Sequence, residues 1–142
     1  MIEKLNKIKS KIKSRIYFDY GISHLTWFKA GGSAKAFIIV ENKKELEILI
    51  NILNEYRYLI IGAGSNILIR DKGFDGVIIK LGKGFNEIKI IEDEIKVGAS
   101  ILDINLSKFA KKNLINDFEF FSGIPGTVGG AIKMNAGCFG KE

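Results

Sequence analysis

The chain has 142 residues, of which 46% are apolar and 27% charged, enough length and hydrophobicity to bury a core. Its strongest apolar runs, Tyr58-Leu59-Ile60-Ile61 and Val77-Ile78-Ile79, are too short to span a bilayer, and the N-terminus leads into no apolar signal segment. One cysteine and one histidine support neither a disulfide framework nor a zinc cluster, so a cytoplasmic protein without a metal or stable membrane insertion is expected.

The formal charge of +6 is concentrated at one end: residues 1–15 carry Lys4, Lys7, Lys9, Lys11, Lys13 and Arg15 against Glu3, leaving the body nearly neutral. No nucleic-acid partner is expected from so localised a charge. Ile2, Leu5, Ile8, Ile12 and Ile16 recur at spacings of three and four, which predicts a basic amphipathic helix over residues 1–15. Residues 15–23 read as a linker or short strand. Trp27 and Phe28, leading to Gly31-Gly32, read as core or interlobe packing, with cofactor contact as the alternative, and residues 36–40 as a buried strand.

Asn42 followed by Glu45 has capping-box spacing, and Leu46, Leu49, Ile50 and Leu53 give the ensuing helix an apolar face. Residues 58–61 form the next predicted strand. Behind the turn Gly62-Ala63-Gly64-Ser65-Asn66, the β-branched and aliphatic run Ile67-Leu68-Ile69-Arg70 favours an extended strand. Residues 71–76 read as a turn in which Asp71 and Asp75 bond locally to backbone, residues 77–81 as a strand, and Gly82-Lys83-Gly84 as a hinge. Residues 87–91 and 95–97 bracket Glu92-Asp93-Glu94 as a hairpin. Ser100 and Asp103 begin a helix with Leu102, Leu106, Phe109 and Ala110 toward the core, ending near Asn113. The pattern is α+β in two lobes, residues 16–82 and 83–142.

Two glycine-rich segments carry the chemistry. Gly62-x-Gly64 follows a strand, but a dinucleotide fingerprint requires a third glycine opening a helix, and that position is Ile67. What survives is a small-residue turn whose backbone N–H groups can converge on anionic oxygens, with Ser65 and Asn66 as added donors; a purely structural turn is the alternative. No Gly-Lys-Ser/Thr ending supports nucleotide hydrolysis. Gly123-Ile124-Pro125-Gly126-Thr127-Val128-Gly129-Gly130 combines one fixed backbone angle with several permissive ones and offers Thr127 as a polar donor beside Phe120-Phe121. It suits either the edge of a flat apolar ring or a packed crossover. His24 and Cys138 lack partners at catalytic spacing.

Together these motifs resemble the N-terminal half of the UDP-N-acetylenolpyruvoylglucosamine reductase family. Thr26-Trp27-Phe28-Lys29-Ala30-Gly31-Gly32 is similar to its first motif and Gly62-Ala63-Gly64-Ser65-Asn66-Ile67-Leu68-Ile69-Arg70 to its first cofactor loop. The second loop is matched by residues 123–131 with Met134-Asn135-Ala136-Gly137. The resemblance implies the two-lobed FAD-binding fold of the vanillyl-alcohol-oxidase class, incomplete in its second lobe and without its substrate domain. It assigns cofactor contact to Gly62, Ala63, Gly64, Ser65, Asn66, Ile67, Ile124, Gly126, Thr127, Gly130, Asn135 and Ala136.

It also implies FAD as cofactor, NADPH as hydride donor and UDP-N-acetylglucosamine enolpyruvate as substrate of the complete enzyme, in peptidoglycan synthesis. Its tyrosine-arginine pair, serine proton donor and late glutamate are expected beyond residue 142, so no catalytic residue is assigned here. The chain alone is expected to be inactive and a C-terminal piece to complete it. Alternatives are the FAD domain of another oxidase or dehydrogenase of the same class, or a non-catalytic flavin-binding remnant.

Overall fold

In the computed structural model, which describes residues 1–142, the chain divides into two units, residues 1–84 and 85–142. The first is built on a mixed sheet of order β1-β2-β4-β3. Here β1 (Arg15–Gly21) runs antiparallel to β2 (Ser33–Val40), and β4 (Phe74–Leu81) lies parallel to both β2 and β3 (Tyr58–Ile61). Because strand side chains alternate between faces, the register sorts the core. Ile22, Ala34, Phe37, Ile61, Ile69 and Ile78 cluster on one side. Ala36, Ile38, Val40, Val77 and Ile79 are equally buried on the other. Between Ala34 and Ala36 the pairing of β2 with β4 shifts, the extra residue lying in β4 between Phe74 and Val77.

Helix α2 (Lys43–Leu53) joins β2 to β3 and contributes the fully buried Leu49 and Leu53. None of its residues enters the Ile22 cluster, so α2 covers the opposite face. Each such buried aliphatic side chain is worth roughly 1.5–3 kcal/mol. Asn42 caps the helix by accepting the Glu45 N–H at 3.0 Å, as the spacing predicts. The reciprocal half of a capping box is replaced by a long-range bond: the Glu45 carboxylate accepts from the Lys13 N–H (3.0 Å), the Ser14 N–H (2.8 Å) and the Ser14 hydroxyl (2.5 Å). Burial disfavours the charged form of Glu45, but the Ser14 hydroxyl, the Lys13 and Ser14 amides and the Asn42 side chain outweigh it and hold the pKa at about 2.

That capture corrects the N-terminal expectation. Helix α1 is only Ile2–Lys9, and β1 begins at Arg15, so the helix does not extend over residues 1–15. Ile16 is buried through pairing opposite Ile38, not through the helical stripe. The apolar spacing of three and four was shared by a short helix and the strand that follows it, with Ser14 held by Glu45 between them.

Two other expectations change. Residues 67–70 form no strand; they are irregular chain, anchored by the buried Ile69. The next strand instead starts at Phe74, three residues before the predicted one. Asp75 pairs with the Lys35 ammonium, which keeps its pKa below the usual value, instead of bonding to local backbone.

The second unit holds the hairpin of β5 (Ile88–Ile91) and β6 (Glu94–Val97), helix α3 (Asp103–Lys112), a 3-10 turn (Glu119–Gly123) and helix α4 (Val128–Met134). Ile101, Leu106 and Val128 form its core, with Ile88, Ile95, Val97, Phe118 and Phe121 packed around them. Ser100 does not cap α3, whose N-cap is Leu102, and Leu102 is exposed, not core-facing. No helix is long and apolar enough to cross a membrane.

Candidate functional site

Two connections of the first unit run side by side. The segment between β1 and β2 donates the Trp27 N–H to the Gly64 carbonyl (3.0 Å) and the Gly32 N–H to the Arg70 carbonyl (3.2 Å). Glycine is required at this seam. A Cβ on Gly64 would run into the Leu25 carbonyl, and its φ of +74° lies in the region that L side chains avoid; a Cβ on Gly32 would run into the Asp71 carbonyl. Thr26 locks the bend, its hydroxyl donating to the carbonyls of Ser23 and Ala30 at 3.2 Å.

The seam leaves a row of donors unused. The N–H groups of Ala63, Gly64, Ser65, Asn66 and Ile67 donate to no group of the chain, and the Ser65 hydroxyl and Asn66 amide have no hydrogen bond within it. Gly64 is buried, Ala63, Ser65 and Ile67 are half-buried, and Asn66 is exposed. Consecutive backbone N–H groups without a partner in the chain are donors that anionic oxygens can use. The glycines thus serve close backbone packing on one side of the loop while its donors stay available.

In the second unit the glycine-rich stretch is organised by Thr127. Its hydroxyl oxygen accepts the Gly130 N–H (3.3 Å) and caps α4. Thr127 also bridges to Leu102, with the Asp103 N–H donating to Gly126 (3.1 Å) and the Val128 N–H to Ile101 (2.9 Å). Neither the Gly126 N–H nor the Thr127 N–H has a partner in the chain. Ile124 and Gly126 are half-buried, and Asn135, in the left-handed conformation at φ +47°, ends α4 ahead of half-buried Ala136. The predicted residues therefore fall into two groups: residues 62–67 lie together in the first unit, and Ile124, Gly126, Thr127, Gly130, Asn135 and Ala136 lie along one stretch of the second.

One expectation changes and one feature was missed. Trp27 and Phe28 are 61% and 64% exposed and so are not core residues. Asp103, read only as part of a helix start, is fully buried with neither carboxylate oxygen hydrogen-bonded, and burial pushes its pKa up to about 6. Its spacing to Leu106 and Ala110 was the available signal, since all three share the buried face of α3. His24 is exposed and bonds to the Tyr20 hydroxyl at 3.2 Å, apart from any catalytic cluster.

An FAD binding domain family matches residues 34–142, more than three quarters of the chain. The chain belongs to this FAD-binding domain family. The FAD-binding chain is 46% identical over 143 residues to the UDP-N-acetylenolpyruvoylglucosamine reductase of Pelagibacter ubique, a match covering 99% of this chain and 47% of that protein. It is 47% identical over 133 residues to the reductase of Rickettsia massiliae, covering 92% and 45%. The crystal structure of UDP-N-acetylenolpyruvylglucosamine reductase from Thermus caldophilus superposes with a TM-score of 0.72 at 30% identity, over 90% of this chain and 44% of that one. The chain thus spans less than half the length of these relatives. Its α+β fold is that of an FAD-binding domain. The unpartnered N–H groups of residues 63–67 in the first unit suit the anionic oxygens that FAD carries.

Proposed function

We propose that this chain is the FAD-binding portion of an NADPH-dependent reductase that converts UDP-N-acetylglucosamine enolpyruvate to UDP-N-acetylmuramate in peptidoglycan synthesis, in the cytoplasm. The observation that carries the reading is 46–47% identity to such reductases across nearly the whole chain. When bound, FAD supplies the two-electron chemistry by which hydride from NADPH reaches the enolpyruvyl double bond. The chain's own work is binding and orientation. Main-chain donors of Ala63, Gly64, Ser65, Asn66 and Ile67 hold the diphosphate, with the Ser65 hydroxyl and Asn66 amide adding contacts.

The N–H groups of Gly126 and Thr127 are the polar contribution of the second loop. Gly62, Ile124, Gly130, Asn135 and Ala136 complete the proposed contact set, the small residues permitting close approach of backbone to ligand. The finer fold assignment, the two-lobed vanillyl-alcohol-oxidase class with an incomplete second lobe, belongs to the same proposal. In this proposal the groups that bind and protonate the substrate belong to the part of the relatives' length that this chain does not match.

A chimera provides the test. Residues 16–142 replace the corresponding stretch of the Pelagibacter ubique reductase, and NADPH oxidation is followed with and without UDP-N-acetylglucosamine enolpyruvate. Substrate-dependent oxidation by the flavin-loaded chimera is expected. A folded chimera that retains FAD yet never oxidises NADPH in response to that substrate would contradict the assignment.

A further inference from the structure

Two aromatic residues that are consecutive in sequence stand exposed on the segment whose backbone is bonded to the residue 63–67 loop. Trp27 and Phe28 are 61% and 64% exposed, and neither pairs with another ring or with a cation of the chain. Their position is fixed nonetheless. The Trp27 N–H is bonded to the Gly64 carbonyl, Leu25 abuts Gly64 too closely for a Cβ, and the Lys29 N–H closes the turn onto the Thr26 carbonyl at 3.1 Å. The backbone that carries the two large apolar side chains is thus bonded directly to the loop whose N–H groups have no partner in the chain. A dinucleotide held there by its diphosphate carries each planar ring only one sugar or sugar-alcohol away.

We propose that Trp27 and Phe28 form the shelf on which a planar heteroaromatic ring of the bound dinucleotide stacks. The inference rests on the reading of residues 62–67 as the diphosphate loop, and it adds an affinity determinant outside the glycine motifs. Stacking of a base on an aromatic side chain contributes about 1–3 kcal/mol. Most of each side chain is exposed and no other ring or cation of the chain covers it, so that contact is free to give.

The test is calorimetric titration of the wild-type chain, Trp27→Ala, Trp27→Phe and Phe28→Ala with FAD, ADP and FMN, alongside ligand-free thermal melts. Trp27→Ala is expected to weaken FAD binding about 5- to 150-fold, the equivalent of that stacking energy. Trp27→Phe should recover most of the loss, and the melts should move little because the side chain is exposed. A matching loss for ADP identifies the adenine as the stacked ring; a loss for FMN identifies the flavin.

Trp27 is the only tryptophan, so acrylamide quenching of its emission gives a readout independent of the variants. Saturating ADP or FMN should shield it. If FAD binds the alanine variants within twofold of wild type and Trp27 stays fully quenchable, the shelf is refuted while the diphosphate reading stands. Failure of the wild-type chain to bind FAD, ADP and FMN would overturn both.

Discussion

Replacing Glu45 by Gln tests how the first unit is tied together. The carboxylate accepts the N–H groups of Lys13 and Ser14 and the Ser14 hydroxyl, three donors brought from 31 and 32 residues away. An amide keeps one acceptor oxygen and turns an NH2 toward a donor that needs an acceptor. Hydrogen bonds to a charged group contribute about 1.5–3 kcal/mol each, which sets the scale of the loss. The pKa provides a second route: a fall from 4.5 to about 2, at about 1.4 kcal/mol per unit, gives roughly 3 kcal/mol before solvent screening near the surface reduces it.

Both routes converge on about 2 kcal/mol lost in Glu45→Gln at pH 7, read from urea unfolding. The sign of the pH dependence is fixed by the lowered pKa. The stabilisation is fully present above the unfolded value of 4.5 and is lost as pH falls through the folded value of about 2. The difference between wild type and variant should therefore shrink steadily below pH 4.5. A difference that is absent at pH 7, or unchanged between pH 7 and pH 2.5, would refute the clasp.

Asp103 has the opposite sign. Its folded pKa, raised from 3.8 to about 6, means that ionisation opposes folding. The penalty is absent below pH 3.8, grows through the interval and is complete above pH 6. Asp103→Asn should gain stability relative to wild type at pH 8, by about 1–2 kcal/mol, and show little gain at pH 4; equal differences at both pH values in chemical denaturation would contradict this. Gly64→Ala places a side chain against the Leu25 carbonyl at φ +74°. The left-handed conformation alone costs about 1–2 kcal/mol, and FAD affinity measured by flavin anisotropy should fall at least tenfold as the loop shifts. Wild-type affinity in that variant would show that the seam does not position the loop.

Local signals made part of the fold legible. The continuous apolar run of β2, the Asn42 cap and the β58–61 run are written in consecutive residues, so propensity and periodicity find them. The position of the two glycine loops was equally readable, because small residues recur in consecutive positions; only Gly64 among them needs the left-handed backbone, while Gly123 and Gly129 sit where a Cβ would crowd a neighbour. What remained hidden depends on partners distant in sequence. The placement of Ser14 between α1 and β1 is held by Glu45, 31 residues later, and Asp103 is buried by the packing of α3. Trp27 and Phe28 look like core by composition, yet the neighbouring glycines bring backbone, not rings, into contact. The free donors of residues 63–67 were suggested by small side chains and defined only once the seam with residues 25–32 had formed.

The account rests on those donors, and amide NMR of the labelled chain addresses them directly. On addition of FAD, the N–H resonances of Ala63, Gly64, Ser65, Asn66 and Ile67 should shift together and saturably, while those in the middle of α2 stay in place. Binding of FAD that leaves the five amides unmoved would contradict the claim that the loop holds the diphosphate.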